Sequence, residues 1–134
     1  MKNPFILLML SSCMLIFPVV DAFSGEAGPV EIVQKFYQAS AEGDIQAMKT
    51  FADGPFYERR KILIEQNQGY ADFLRDHYSG MMTEIVSADI EDAADKAVIV
   101  VKMTSREGSS FDTTLFLKKD NNGLWKINDE RLAD

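Results

Sequence analysis

The chain has 134 residues, a formal net charge of −7, one cysteine and one histidine. The acid excess argues against a nucleic-acid partner, because a phosphate backbone attracts a basic stripe. A single cysteine excludes a disulfide framework and a Cys-based zinc site, and a single histidine excludes a His-pair metal site. Lys2 and Asp21 cancel, so the 112 residues after position 22 keep the same charge. That remainder makes one domain, residues 29–134. It can bury about two thirds of its unfolded surface without a staple.

Residues 1–22 read as a signal peptide. Met1-Lys2-Asn3 is a short basic start, and an apolar stretch follows, interrupted by Ser11-Ser12 and Pro18. It is too short and broken for a comfortable membrane span. Val20-Asp21-Ala22 places small residues at −3 and −1, which favours cleavage after Ala22. In the competing reading, Leu10-Ser11-Ser12-Cys13 is a lipobox and Cys13 is lipidated, which would put the protein on a membrane. The apolar run before Cys13 is very short, and the chain stays apolar after it. Residues 23–28 read as a flexible leader of small residues.

Helical signals come next. Pro29 suits a first turn. Val30, Val33, Phe36, Tyr37 and Ser40 recur at helical spacing, and Gly43 stops the helix. Asp44 is a natural N-cap for a second helix with Ile45, Met48, Phe51 and Ala52 on its apolar stripe. Asp53-Gly54-Pro55 breaks it and opens a third helical region over residues 56–79. Asn67-Gln68-Gly69 interrupts that region. Beyond it, Tyr70, Phe73, Leu74, His77, Tyr78 and Met81 share one face, up to a stop at Gly80.

After Met82 the period changes to two. Val86, Ala88 and Ile90 alternate with Ser87, Asp89 and Glu91, which predicts a strand. Residues 97–104 are a β-branched apolar run, which predicts a strand covered on both faces. Arg106-Glu107-Gly108-Ser109 and Asp120-Asn121-Asn122-Gly123 are hairpin turns. They flank a strand over residues 111–118, and residues 124–127 form the last strand, before a polar tail.

The expected fold is therefore α+β, with N-terminal helices packed on a strongly curved four-stranded antiparallel meander. Its core gathers Phe36, Phe51, Phe73, Phe111 and Trp125. This layout resembles the nuclear transport factor two-like superfamily, the cone-shaped fold shared with ketosteroid isomerase. The residues that carry the resemblance are Pro29-Val-Glu-Ile-Val-Gln-Lys-Phe-Tyr-Gln-Ala-Ser-Ala-Glu-Gly-Asp44 and the hairpin Leu115-Phe-Leu-Lys-Lys-Asp-Asn-Asn-Gly-Leu-Trp-Lys-Ile127. More narrowly, the chain resembles small secreted or lipid-anchored bacterial domains of unknown function. The resemblance implies a bacterial origin. It also implies that any catalytic Asp, His or Tyr would sit inside the cone, although ketosteroid isomerase's Asp base and Tyr-plus-Asp donor pair match nothing here residue by residue.

The ligand-pocket candidates are His77, Tyr37, Tyr78, Phe73 and Trp125. Histidine is the residue type suited to general-base work, so His77 would be the base of an isomerase or dehydratase; its bland role is a hydrogen-bonded core or rim histidine. Tyr37, Tyr57, Tyr70 and Tyr78 are the available hydroxyl donors. Asp112 is out of phase with its apolar neighbours and meets solvent. Trp125 reads as a core plug. Arg59-Arg60-Lys61 reads as a solvated face pairing with Glu58 and Glu65. The acidic run at residues 89–95 lacks the Gly and terminal Glu of a calcium loop. No phosphate loop, catalytic triad order or Glu-x-x-His pattern is present.

These observations lead to a non-catalytic extracytoplasmic module with no cofactor and no metal. It would bind a small apolar ligand, a protein partner or a second copy of itself. A homodimer through the sheet would cover Val98 and Val100, a packing mode the resemblance also implies. The alternative is a small enzyme that uses His77 as base.

Overall fold

The computed structural model describes residues 27–133. The segment read as a signal peptide, with Cys13, and the expected leader up to residue 26 lie outside the described residues. Ala27, at the end of that leader, packs against the core.

The helical layer follows the caps written in the sequence. Helix α1 (Pro29–Glu42) has proline in its first turn and ends at Gly43, which adopts a φ of 69°. There the Asp44 N–H reaches back to the Ala39 carbonyl at 2.9 Å. A left-handed residue is needed for this closure, and glycine adopts it without a steric penalty. A Cβ at Gly43 would also lie 2.8 Å from the Ala71 carbonyl, so a neighbouring helix is seated directly on this turn. Asp44 caps α2 (Ile45–Phe51) by accepting from the Ala47 N–H at 3.1 Å. Asp53 caps α3 (Gly54–Gln66). The break at Asn67 separates α3 from α4 (Tyr70–Tyr78), with the Asn67 side chain accepting from the Gly69 N–H at 2.9 Å.

Four strands follow: β1 (Met82–Glu91), β2 (Lys96–Thr104), β3 (Ser110–Lys119) and β4 (Trp125–Leu132). They pair antiparallel in the order β1-β2-β3-β4, the expected meander. Gly108 and Gly123 supply the positive φ that the hairpin turns require.

Several sequence expectations are corrected. Strand β1 starts at Met82 and carries a bulge at Val86, between the pairs Ile85↔Val101 and Ser87↔Val100. The extra residue turns Ile85 to the same face as Ala88 and Ile90, and Ile85 alone in β1 is sheltered. Strand β4 runs on through the polar tail to Leu132, with its own bulge at Asn128. That continuation pairs with β3 from Asp129 to Leu132, and its Asp129 and Glu130 meet arginines of α3. The sheet is not strongly curled. Each outer ladder has one bulge, while the central β2–β3 ladder runs without interruption. Strand β2 buries one face, through Ala97, Ile99, Val101 and Met103, and leaves Val98 and Val100 half-buried on the other.

The core lies between the helices and the inner sheet face. Phe36, Phe56, Ile99, Leu115, Leu117 and Ile127 fill its centre. Of the five expected core aromatics, Phe36 and Trp125 are buried and Phe51 packs at the margin. Phe73 and Phe111 are on the surface. The expected face of α4 spans too wide an arc for one interface. Tyr70 and Leu74 take the inner positions, with Tyr78 and Met81 packed beside them, and Phe73 and His77 are left on the flank.

Candidate functional site

The helical period places Val33 and Tyr37 one turn apart on α1, with Gln34 and Gln38 beside them. Opposite stand Tyr78, Met81 and the start of β1. Between them lies a solvent-open groove of about 320 Å³. Met81 and Ile85 give it an apolar floor over the fully buried Val33 and Val101, and Gln34, Gln38 and Thr83 line it with polar groups. The Tyr37 and Tyr78 rings both line it, with centroids 6.0 Å apart. No charged side chain lines this groove.

Both tyrosines are held neutral. Burial pushes the Tyr37 phenol well above its ordinary value, and Tyr78 and Glu130 add to the effect. Burial likewise raises Tyr78, against a lowering influence of Arg60. Each therefore offers an un-ionised hydroxyl, able to donate and to accept a hydrogen bond.

The five sequence candidates divide into three places. Tyr37 and Tyr78 meet in the groove. His77 and Phe73 stack on each other outside it, with centroids 5.5 Å apart and planes 12° from parallel. Phe73 is 54% exposed there. His77 also meets the Tyr78 ring edge-on at 4.8 Å. It borders a separate hollow of about 260 Å³ with Asp76, Arg106 and Glu107. Trp125 is buried at another margin of the helical layer, under the Lys119 ammonium. It borders a hollow that also holds Ile32 and Phe51. Among the described residues, no group of three or more His, Cys, Asp or Glu side chains converges as a metal site. Nor, among them, is any helix long and apolar enough to cross a membrane.

Sequence reasoning missed a second feature. The basic run does not pair with Glu58 and Glu65. Arg59 reaches Asp129 at 2.8 Å. Arg60 engages Glu130 through both guanidinium ends, at 3.1 and 3.2 Å. The Arg60 guanidinium also lies 3.6 Å from the centroid of the Phe56 ring and 5.5 Å from that of Phe36. One local signal was present, since Arg60 follows Phe56 by one helical turn. Its partner, 70 residues away, was hidden in what read as a tail.

No protein-family model and no curated protein matches the sequence. Solved structures do. A SEC-C motif containing protein from Rhodopseudomonas palustris is 17% identical over 84% of this chain and 85% of its own, with a TM-score of 0.58. A protein of unknown function with a cystatin-like fold from Methylobium petroleophilum is 12% identical over 82% and 80%, with a TM-score of 0.52. A nuclear transport factor two-like protein of unknown function from Shewanella baltica is 14% identical over 89% and 99%, with a TM-score of 0.51. At these identities the likeness is one of fold. Four helices laid on one face of a four-stranded antiparallel meander, with these neighbours, give the chain the nuclear transport factor two-like fold.

Proposed function

We propose that the protein is a non-catalytic extracytoplasmic binding module that takes a small, neutral, largely apolar ligand in the groove between α1 and β1. The observation that carries this reading is the lining: an apolar floor, two neutral phenols and an amide rim, with no charged group. A charged ligand would lose its hydration there without gaining a counter-charge. The volume of about 320 Å³ falls at the small end of ligand pockets. The location of His77 outside the groove supports binding over base catalysis. The extracytoplasmic assignment rests on residues 1–22 alone. Half-covered Val98 and Val100 on the outer sheet face support a homodimer through that face. A monomer in sedimentation at high micromolar concentration would remove that part.

Backbone NMR with three probes tests the ligand reading. 2-Naphthalenemethanol should shift the amides of Val33, Tyr37, Ile85 and Val101 saturably, whereas naphthoate and naphthylmethylammonium should not. Ile85→Trp, which enlarges a partly exposed side chain of the groove, should abolish the response. Equal shifts with all three probes, or shifts that survive Ile85→Trp, would refute the reading.

A further inference from the structure

Of the chain's five asparagines, only Asn122 is followed by glycine. That pair has a chemistry of its own. A backbone nitrogen can attack the side-chain amide carbon of the residue before it, closing a five-membered succinimide. A Cβ on the attacking residue hinders the approach, and Gly123 has none. Asn122 is exposed at the tip of the β3–β4 hairpin, where water reaches it. The folded turn nevertheless holds the nucleophile back. The Gly123 N–H donates to the Asp120 carbonyl at 3.0 Å. Asp120 Oδ1 accepts from the Asn122 N–H at 2.8 Å and from the Leu124 N–H at 3.0 Å. The Asp120 N–H donates to the Leu124 carbonyl at 2.8 Å. One residue thus fixes the backbone on both sides of the Asn122–Gly123 bond. The Leu124 and Asn122 N–H groups, with Lys126, hold the Asp120 carboxyl below its usual range, so the acceptor stays ionised. Hydrogen bonds to an ionised acceptor are the stronger kind.

We propose that Asn122 is a deamidation site and that Asp120 is the latch that keeps it intact in the folded protein. When the turn opens, the Gly123 nitrogen bonds to Asn122 Cγ and the Cγ–Nδ2 bond breaks. The amide leaves as ammonia, carrying the proton that the Gly123 nitrogen gives up. Water then opens the succinimide at one of its two carbonyls. The product is aspartate, or isoaspartate, in which the main chain runs through the side-chain carbon. Either product adds a negative charge beside Asp120, and isoaspartate also lengthens the backbone of a turn whose length sets the β3–β4 register. The site is distinct from the α1–β1 groove and independent of any ligand there.

Peptide mass mapping of Asn122 during incubation at mildly alkaline pH tests the proposal. Wild-type protein unfolded in urea should convert about tenfold faster than folded wild type, or more, because conversion follows the population of the open turn. In buffer, Asp120→Ala should also convert about tenfold faster than wild type, since it loses two charge-assisted hydrogen bonds. In urea the two chains should convert at one rate, because the latch acts only through the turn. If Asp120→Ala does not fold, Asp120→Asn keeps an acceptor oxygen without the charge and should convert a few times faster than wild type. Folded wild type that converts as fast as the unfolded chain would overturn the proposal. So would a folded Asp120 variant that converts no faster than wild type, or a difference between the two chains that persists in urea.

Discussion

Helices α1 and α3 are almost equal in length, yet they are held by different forces. Helix α1 buries Ile32, Val33, Phe36, Tyr37, Ala39 and Ser40 against the sheet and α4. Helix α3 buries Phe56, packs Ile64 against the core margin, and adds the ion pairs Arg59–Asp129 and Arg60–Glu130. Apolar burial is insensitive to salt, whereas an exposed ion pair is screened by it. The comparison makes α1 the fixed wall of the molecule and α3 the adjustable one.

Four perturbations sharpen this contrast, in order of expected effect. Phe36→Ala should cost about 3–5 kcal/mol in denaturant melts, by loss of burial and by cavity formation. Phe73→Ala, on the exposed flank of α4, should stay within about 0.5 kcal/mol. Similar losses would contradict the assignment of inside and outside. Next comes Gly43→Ala, which forces a Cβ into a left-handed turn beneath the Ala71 carbonyl. It should destabilise by about 1–3 kcal/mol.

The third perturbation is alkaline pH. Tyr37, Tyr70 and Tyr78 all have phenol pKa values raised chiefly by burial. The unfolded chain ionises near the ordinary tyrosine value of about 10, while the folded chain resists. Their contribution is therefore complete below pH 10 and is lost as pH rises through the raised folded values. A urea midpoint that stays flat from about pH 9 to 11 would count against buried, neutral phenols. Smallest is Arg59→Ala, which removes a half-exposed pair. It should cost less than about 1 kcal/mol at low salt and nothing at high salt. On the acid side, the Arg59 hydrogen bond and the Glu130 N–H hold the Asp129 carboxyl below its usual range. That small contribution is present above the ordinary aspartate value and fades as pH falls through the lowered one.

Much of the fold was legible because its signals are local. Gly43, Asp44, Asp53 and the break at residue 67 are caps, and the two glycine turns are hairpins, so element order and meander topology followed from short windows. The groove was half legible: Tyr37 and Tyr78 were candidates, but Gln34, Gln38 and Thr83 looked like ordinary surface. Three things were hidden for one reason, namely dependence on distant partners. The bulge at Val86 is defined only by its register against β2. The strand beyond Ile127 is defined only by pairing with β3. The role of Arg60 is defined only by Glu130. Phe73 and His77 were misjudged more simply, since a six-residue helical face exceeds what one interface covers.

Native-state hydrogen exchange measured together on α1 and α3, in low and in high salt, tests the central claim most directly. The account predicts that amides of residues 33–40 are the better protected and indifferent to salt. It also predicts that those of residues 58–64 open more readily, and more so as salt rises. Equal protection in the two helices, or a salt response confined to α1, would contradict it.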